Sequence, residues 1–499
     1  MLNKIALSLY KKRLQSADAF RKNPGAAQQK VFRSLLEAGQ QTEYGTKYGF
    51  SKIKSIDDYL RQTPVVDYGD LKPYIDRMRA GEKNILWNTA IQWFAKSSGT
   101  TAAKSKFIPV SKECLRDCHF SGLRDVTLQY LLRYPNSKLL GGKSLTLGGS
   151  HVPDESQSGV KYGDLSAVMI QNTPWYIEPI RVPSRKTALI ADFDKKTEEI
   201  ARQAIKQKIV SFAGVPSWNL VLMKRILDYA GKNNLIELWP DLEVFFHGGV
   251  AFGPYREQFQ KIIPSEQMRY METYNASEGF FALQDEPTDS AMLLLADNGV
   301  FYEFMPTTEL GKAFPKAFTM NEVKTEVNYA VIITTNAGLW RYLIGDTVKF
   351  VSLYPHKIKI TGRTKHFINV FGEELIVDNA EVALSKACDV TGAVITEYTV
   401  APIFMDAETA KGAHEWLIEF ETPPNDYEQF ANILDAALCE VNSDYEAKRD
   451  RDTTLKRLKL TVLDKGTFYE WMRRRGKIGG QNKVPRMSNS REYAEELIA

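Results

Sequence analysis

Cysteine is scarce in this chain: four cysteines occur among 499 residues, and no two of them form a CxxC pair. This scarcity excludes a disulfide framework and the common zinc-finger patterns, and it is typical of reduced thiols in a cytoplasmic protein. Cys114, Cys118 and His119 do cluster at helical spacing. Because a structural zinc ion needs a fourth ligand and none lies nearby, we interpret the cluster as helix packing.

Long apolar runs are also missing. No stretch approaches the roughly 20 apolar residues that a membrane-spanning helix needs. The N-terminal sequence MLNKIALSLYKKRLQSADAF is too polar for a signal peptide, because Lys11, Lys12 and Arg13 interrupt its apolar part. We therefore predict a cytoplasmic protein with no membrane partner.

The chain has no excess of charge of one sign: 65 basic and 61 acidic residues leave a formal net charge of +4. A nucleic-acid-binding protein would carry a much more basic surface, so nucleic acid is not an expected partner. Hydrophobic residues make up 43% of the chain, as in an ordinary globular protein. At 499 residues the chain is too long for one compact core, which predicts at least two domains.

Helical and extended patterns alternate along most of the chain. The apolar positions of VFRSLL (31–36) favour helices over residues 1–60, and Thr197 is predicted to cap a helix that reaches about residue 209. Strands are predicted at LEVFFHGG (242–249), AMLLLA (291–296), VFYEFMP (300–306), YAVIITT (329–335) and TVKFVSL (347–353). Strands mixed with long helices predict an α/β domain with a large, partly antiparallel sheet.

The sequence changes character after Asp346, where it becomes basic and rich in turns. An extended stretch (392–404), a strand HEWLIEF (414–420), a helix from about Tyr427 to Val441 and a strand within LKRLKLTVL (455–463) follow. These elements are enough for a small α+β unit. We therefore predict a large N-terminal domain of residues 1–363 and a smaller C-terminal domain of residues 364–499.

The segment FAKSSGTTAAKSKFIPVS (94–111) gathers hydroxyl groups and lysines around one glycine. Backbone N–H groups, hydroxyls and a lysine together hold phosphate oxygens, and Gly99 lets the backbone approach them closely. The segment is not a Walker loop, because GxxxxGK[ST] is absent. A polar surface turn is the alternative that its own residues leave open.

Two later segments carry residues suited to a nucleotide. In YNASEGFF (274–281), Tyr274 can stack on a base, Ser277 can donate to a phosphate and Glu278 can bind Mg²⁺, which prefers carboxylate and phosphate oxygens. In GLWRYLIGDTVKF (338–350), Asp346 can accept hydrogen bonds from both ribose hydroxyls. Each segment alone is equally compatible with an ordinary turn.

Two basic segments complete the set. Arg363 opens a turn in TGRTKHFINVFGEEL (361–375), where it can contact a ribose or a phosphate. Lys483 follows several glycines in RRRGKIGGQNKVPRMS (473–488), which suits a mobile loop that carries a lysine into a site. Solvated basic turns are the alternative for both.

The order of these segments resembles the adenylate-forming superfamily, which includes acyl-CoA synthetases and luciferase-like enzymes. SSGTTAAKSKFIPVS, YNASEGFF, YLIGD and GGQNKVPR resemble more closely the auxin-responsive acyl acid–amido synthetases of plants and their bacterial relatives, as does TEYGTKYGF (42–50). The resemblance runs from about residue 30 to about residue 490.

The resemblance implies that ATP activates a carboxylic acid as an acyl-adenylate, and that an amine, usually of an amino acid, then displaces AMP. ATP and Mg²⁺ are the implied cofactors. The implied phosphate contacts are Ser97, Ser98, Gly99, Thr100, Thr101 and Lys106, with Ser277 at the α-phosphate. The implied adenine contacts are Gly248, Gly249 and Tyr274, the implied ribose contacts are Asp346 and Arg363, and the implied metal ligand is Glu278.

Lys106, Glu278 and Lys483 are the implied catalytic residues. Lys483 would neutralise charge between the carboxylate and the α-phosphate. Rotation of the C-terminal domain about Lys365 would bring Lys483 in for adenylation and remove it for amide formation.

The acid pocket is expected within residues 115–180 and 210–220. Aromatic residues there that could line it are Trp175, Tyr176, Phe212 and Trp218. Aromatic side chains at such positions also occur in cores, so this assignment has a plain structural alternative.

Three positions depart from the family pattern. Ala103 stands where a second loop glycine is usual, and Leu343 stands where plant members have an arginine, with Arg341 nearby on the other face of a strand. FGEEL (371–375) is nearer to the acyl-CoA synthetase pattern than to the plant segment. The acceptor is therefore less well defined by the sequence than the adenylation step.

Three functions remain open on this evidence. An acid–amine ligase is the leading one, and a ligase that forms a thioester with coenzyme A shares its first step. A nucleotide-binding protein without turnover is the third, although the presence of Glu278, Asp346 and Lys483 argues against it. The sequence does not define the acid, the amine or the oligomeric state.

Overall fold

A computed structural model of the protein describes residues 2–97, 106–149, 159–249, 252–312, 315–364, 367–368, 375–403, 412–442, 445–446, 449, 455–478, 482–488 and 490–499. The helices of this part are α1 (Leu2–Leu9), α2 (Lys11–Lys22), α3 (Pro24–Gly39), α4 (Glu43–Lys47), α5 (Ile56–Gln62), α6 (Tyr68–Arg79), α7 (Phe120–Arg133), α8 (Leu165–Gln171), α9 (Arg185–Ala188), α10 (Phe193–Ala204), α11 (Pro216–Ala230), α12 (Arg256–Ile262), α13 (Val377–Thr391), α14 (Tyr427–Val441), α15 (Thr467–Arg474) and α16 (Glu492–Ile498).

The strands are shorter and most lie in one sheet. They are β1 (Trp93–Ser97), β2 (Lys106–Val110), β3 (Lys143–Thr146), β4 (Lys161–Gly163), β5 (Arg181–Val182), β6 (Ile209–Gly214), β7 (Val244–Gly248), β8 (Arg269–Ala276), β9 (Gly279–Leu283), β10 (Met292–Leu294), β11 (Val300–Pro306), β12 (Asn328–Thr335), β13 (Tyr342–Leu353), β14 (His356–Arg363), β15 (Phe367–Ile368), β16 (Leu375–Ile376), β17 (Val394–Ile403), β18 (Ala413–Thr422) and β19 (Lys459–Leu463).

Eleven strands form a central sheet in the order β11-β12-β13-β14-β10-β9-β8-β7-β6-β3-β5. Neighbours from β5 through β3, β6 and β7 to β8 are parallel, and neighbours from β8 to β11 are antiparallel. The predicted α/β class with a large, partly antiparallel sheet is therefore confirmed. Because β7 and β8 are parallel, the loop after β7 and the turn after β8 lie side by side.

Predicted strands and helices agree with the structure to within a few residues, with one clear exception at Thr197. Helix α10 begins at Phe193, because the side chain of Asp192 accepts a hydrogen bond from the backbone N–H of Lys195 and caps it. Thr197 lies inside the helix, where its hydroxyl donates back to the carbonyl oxygen of Phe193. The prediction that Thr197 caps the helix was wrong, since an acidic cap stands five residues earlier.

The cysteine-rich stretch Cys114–His119 forms a turn of π-helix leading into α7. Cys114 and Cys118 are buried, and the backbone N–H of Phe280 donates to the sulfur of Cys118 at 3.2 Å. Within the described ranges no cluster of His, Cys, Asp or Glu is arranged to hold a metal ion. None of the helices seen there is long and apolar enough to cross a membrane.

Residues after 364 build a separate core. Sheet β17-β18-β19 packs against α13 and α14 through residues such as Leu384, Trp416 and Leu434. A second cluster joins this unit to the larger one, because Phe193 and Trp218 pack with residues of β18 and α15. The division at 363/364 itself stays a prediction.

Candidate active site

The candidate site is built where β7 ends, beside the turn between β8 and β9. Gly249 follows β7 with φ of +89°, a left-handed conformation that favours glycine. A Cβ atom on Gly248 would lie 2.4 Å from the carbonyl oxygen of Thr273, so only glycine allows β7 to approach β8 this closely. The backbone conformation therefore requires glycine at Gly248 and Gly249, the two residues predicted to line the adenine.

Asp346 and Arg363 form an ion pair in the site. They are register partners on β13 and β14, and the Nε atom of Arg363 lies 3.0 Å from Oδ1 of Asp346. Asp346 is the main cause of the raised pKa of Arg363. Because 44% of the Arg363 side chain is exposed, solvent screens this ion pair and leaves the guanidinium accessible to a ligand.

Tyr274 is buried beside Asp346. Its hydroxyl donates to Oδ2 of Asp346 at 2.9 Å, its ring packs edge-on against Phe281, and only 5% of the residue is exposed. Burial raises the pKa of Tyr274 well above its ordinary value, and the neighbouring Asp346 adds to the effect. The structure shows a hydrogen bond that orients Asp346, and the stacking of Tyr274 on adenine stays a prediction.

Glu278 and Lys106 are two further charged residues of the site. Glu278 lies in the β8–β9 turn and is 6% exposed; burial raises its pKa, and Lys106 is the strongest opposing influence. Lys106, at the start of β2, places Nζ 3.4 Å from the hydroxyl of Tyr342 and 5.7 Å from the ring centre of Tyr68. Lys106 therefore lies near enough to Glu278 to influence its charge, and its contact with phosphate stays a prediction.

Ser277 supplies an unsatisfied polar atom next to Glu278. Its hydroxyl oxygen is buried and makes no hydrogen bond to any described residue. A buried hydroxyl without a partner is unfavourable in an unliganded protein and is explained by a ligand that completes it. The carboxylate of Glu278 beside the hydroxyl of Ser277 fits a Mg²⁺ ion bound to a nucleotide. Such an ion takes most of its ligands from phosphates and water.

Lys483 reaches this site from the C-terminal segment. Its Nζ atom lies 3.0 Å, and its Cε atom 3.2 Å, from the point that a Cβ atom on Gly249 would occupy. Burial, together with the nearby charge of Arg363 and against the opposing effect of Asp346, lowers the pKa of Lys483 to about 8. The lysine therefore stands with its charge close to Asp346 and Arg363, although it is 120 residues or more away in sequence.

The loop residues of the predicted phosphate site are only partly visible. Ser97 ends β1 and pairs with Lys106 of β2. Predicted loop residues Ser98, Gly99, Thr100 and Thr101, the variant position Ala103 and the predicted pivot Lys365 lie outside the described residues.

The four aromatic residues predicted to line an acid pocket are not brought together. Trp175 and Tyr176 are 83% and 58% exposed on the surface. Phe212 is fully buried and stacks on Phe245 with ring centres 4.2 Å apart, so it is a core residue. Trp218 is buried too, and its indole N–H donates to the carbonyl oxygen of Asn482 at 2.9 Å. The assignment is corrected accordingly: Phe212 and Trp218 pack, and neither Trp175 nor Tyr176 lines an enclosed space.

Arg341 serves packing and not the nucleotide. It precedes β13, its Nε atom donates to Glu303 at 3.0 Å, and its Nη1 atom donates to the carbonyl oxygens of Leu60 and Thr63. Tyr342 and Tyr68, in contrast, contact Lys106 and were missed. Tyr342 is the tyrosine of the Y-x-x-G-D motif, and this motif could have indicated it. No motif indicated Tyr68.

Comparison with known proteins shows the family of the chain. The model of the GH3 family N-terminal domain matches residues 13–197 and 155–268, that of the central domain matches residues 293–363, and that of the C-terminal domain matches residues 378–492. The chain belongs to the GH3 family. This confirms the family predicted from the motifs.

Individual GH3 relatives are distant but match along their whole length. The indole-3-acetic acid-amido synthetase GH3.3 of Arabidopsis thaliana is 24% identical over 95% of this chain and 91% of its own. The structure of the GH3.15 acyl acid amido synthetase matches 98% of this chain and 95% of its own at 18% identity, with a TM-score of 0.80. The predicted enzyme class, an amido synthetase, is confirmed at the level of the family.

The fold extends beyond GH3 proteins. A structure of 2-hydroxyisobutyryl-CoA ligase matches 96% of this chain and 93% of its own at 13% identity, with a TM-score of 0.62. Identity this low shows a shared fold alone. The predicted α/β architecture with a smaller C-terminal unit is thus shared with this ligase.

Proposed function

We propose that this GH3 chain is an ATP-dependent ligase that activates a carboxylic acid as its acyl-adenylate and transfers the acyl group to the amine of an amino acid. The observation that carries the proposal is the meeting of Lys483, the Asp346–Arg363 pair, Glu278 and Lys106 beside Gly249. Basic and acidic side chains lie close together in this space. The basic side chains can neutralise the charge of a bound triphosphate, and the carboxylates can bind its counterions.

In the first step a carboxylate oxygen of the acid bonds to the α-phosphorus of ATP. The bond from that phosphorus to the bridging oxygen breaks, and pyrophosphate leaves with the electron pair. Lys483 neutralises the negative charge shared by the attacking carboxylate and the α-phosphate, and Lys106 neutralises charge on the departing phosphates. Asp346 accepts hydrogen bonds from the ribose hydroxyls, and Tyr274 holds that carboxylate in place.

Glu278 is the residue that would hold Mg²⁺, with the hydroxyl of Ser277 beside it. The metal ion supplies positive charge to the phosphate oxygens. The described residues provide one carboxylate for it, so the phosphates and water supply its other ligands.

In the second step the amine nitrogen attacks the acyl carbon. The bond from that carbon to the AMP oxygen breaks, AMP leaves, and the ammonium product gives its proton to solvent. We include in the proposal the division of the chain at 363/364 and a rotation about Lys365 that withdraws Lys483 between the steps.

A thioester with coenzyme A is the second candidate product. It is favoured by FGEEL (371–375), which is nearer to the acyl-CoA synthetase pattern than to the plant amido-synthetase segment. Both candidates release pyrophosphate in the first step and differ only in the acceptor.

The first step is tested by measuring pyrophosphate release from ATP with a panel of aliphatic, aromatic and indolic acids. We expect release with a subset of acids, and its loss in Lys483→Ala and Glu278→Gln. Absence of release with every acid would reject the ligase and favour a protein that binds the nucleotide without turnover.

A further inference from the structure

The segment that carries Lys483 is fastened to the edge of the C-terminal sheet. The backbone N–H of Val400 in β17 donates to the carbonyl oxygen of Arg486 at 2.9 Å, and that of Ser488 donates back to Val400 at 3.1 Å. The hydroxyl of Thr399 adds a bond to the carbonyl oxygen of Pro485 at 2.6 Å. The position of Lys483 is therefore set by where the C-terminal unit sits.

Arg486, three residues after Lys483, is the centre of a polar network within that unit. Its guanidinium forms an ion pair with Glu397, lies 3.7 Å from Glu381 and covers the ring of Tyr398 at 4.6 Å. The hydroxyl of Tyr398 donates to Glu381 at 2.7 Å. Two carboxylates thus share one guanidinium in a place where the Arg486 side chain is only 10% exposed.

One partner of Arg486 comes from the large unit. Tyr255 belongs to the short helical turn Gly253–Tyr255, which follows Gly249 closely and leads into α12. The Nη2 atom of Arg486 donates to the hydroxyl oxygen of Tyr255 at 2.9 Å, and that hydroxyl lies 3.3 Å from an oxygen of Glu397, to which it donates. Tyr255 is 1% exposed, so the tyrosine hydroxyl is both acceptor and donor in a site with little water.

Other contacts cross the same boundary, among them an ion pair between Lys224 and Glu421 at 3.4 Å. Gln258 of α12 donates to the carbonyl oxygen of Ile395, and Trp218 donates to that of Asn482. Both use backbone oxygens. The bond from Trp218 reaches the residue next to Lys483, whereas the bond from Arg486 to Tyr255 joins a charged side chain on the segment of Lys483 to the turn that follows Gly249.

We propose that Tyr255 is a positioning residue for adenylate formation, which holds Arg486 and Glu397 so that Lys483 stays against Gly249. The expected effect on the rate of adenylate formation rests on the proposed function. The pairs of Arg486 with Glu397 and Glu381 lie wholly inside the C-terminal unit and persist wherever that unit sits. The bonds of Tyr255 exist only in the arrangement seen here, so the tyrosine supports the step that needs Lys483 and not the step that follows it.

Tyr255→Phe tests the proposal, because it removes one hydroxyl and keeps the ring. Tyr445→Phe is the matched control: Tyr445 is equally buried, and its hydroxyl donates to Asp435 at 2.6 Å inside the C-terminal unit. Two half-reactions are measured, ATP–pyrophosphate exchange with an acid that the enzyme accepts, and amide formation from the same acid supplied as its synthetic acyl-adenylate.

For Tyr255→Phe we expect the exchange rate to fall about tenfold, the effect of one hydrogen bond to a charged group. Amide formation from the supplied adenylate should not fall. In Tyr445→Phe the ratio of the two rates should equal that of the unsubstituted protein. Equal losses in both half-reactions of Tyr255→Phe, or no loss in either, would overturn the positioning role.

A readout that needs no catalysis separates this inference from the proposed function. The rate at which Lys483 is acetylated by a water-soluble acetylating reagent is followed by peptide mass spectrometry in the absence of nucleotide. We expect it to rise several-fold in Tyr255→Phe and to stay unchanged in Tyr445→Phe, with unchanged melting temperatures. Equal protection of Lys483 in all three proteins would overturn the inference even if the ligase activity is found; lack of pyrophosphate release with every acid would reject the proposed function alone.

Discussion

The Nζ atom of Lys483 lies 3.0 Å from the point that a Cβ atom on Gly249 would occupy. A residue of the C-terminal segment and a residue at the end of β7 thus share one small space, in which a side chain on Gly249 and the lysine exclude each other. The lysine is thereby held beside Asp346 and Arg363, where a nucleotide phosphate is proposed to bind.

Gly249→Ala should therefore displace Lys483 and lower the rate of ATP–pyrophosphate exchange at least tenfold. Part of the effect is a strain of about 1–2 kcal/mol, because Gly249 has φ of +89°. Gly231→Ala is the control, since Gly231 has φ of +61° and no atom within 4 Å of a Cβ. Both variants should lose similar stability in urea, and only the first should lose exchange; similar exchange rates in the two would refute the steric argument.

The activity should depend on pH through Lys483. Its pKa is lowered to about 8, so the ammonium charge is present below that pH and is lost above it. We expect kcat/KM for ATP to fall as the pH rises through about 8, with a slope that approaches one decade per pH unit. The residual activity of Lys483→Ala should lack this limb, and persistence of the limb in that variant would assign it to another group.

Asp346→Asn should alter how the enzyme treats the sugar. The variant loses the charge opposite Arg363 but keeps the size of the side chain, and an amide is a poorer acceptor for two ribose hydroxyls. We expect KM for ATP to rise about tenfold and the preference of the unsubstituted protein for ATP over 2′-deoxy-ATP to shrink. A variant that keeps the full preference would show that Asp346 does not contact the ribose.

Arg341→Met should destabilise the fold without a selective effect on the nucleotide. Both side chains of the Arg341–Glu303 pair are buried, with 6% and 1% exposed, and removal of one partner of such a pair costs about 3–5 kcal/mol. Arg202→Ala, which breaks an ion pair with about half of each side chain exposed, should cost less than about 1 kcal/mol. Urea unfolding measures the loss of stability in both variants. A small loss for Arg341→Met would mean that the buried ion pair contributes little to stability. An increased KM for ATP at unchanged stability would show that Arg341 acts in nucleotide binding.

Much of the fold could be predicted because its strands and helices carry strong local signals. The run NYAVIITT of β12 is almost wholly buried, and a continuous apolar run of that length favours a central strand. Thr197 misled because a hydroxyl before two glutamates also occurs inside helices, where the threonine bonds back to the preceding turn.

The motifs predict candidate residues for the site but not how these residues are arranged. The bond from Tyr274 to Asp346 joins residues 72 positions apart, and that from Arg486 to Tyr255 joins residues 231 apart. Such pairs depend on the order of the strands in the sheet and on how the two units pack. The spacing of residues within a short sequence segment predicts neither. Phe212 and Trp218 failed as pocket residues for the same reason, since an aromatic side chain in a sequence does not reveal whether it faces a cavity or a core.

The central claim is that the activated acid is transferred to an amino acid. The most direct measurement supplies ATP, Mg²⁺ and an acid that supports pyrophosphate release, first with each of the twenty amino acids and then with coenzyme A, and determines AMP and the mass of the product. We expect an amide of the acid with one or a few amino acids and one AMP per amide. A thioester with coenzyme A, and no amide with any amino acid, would contradict it.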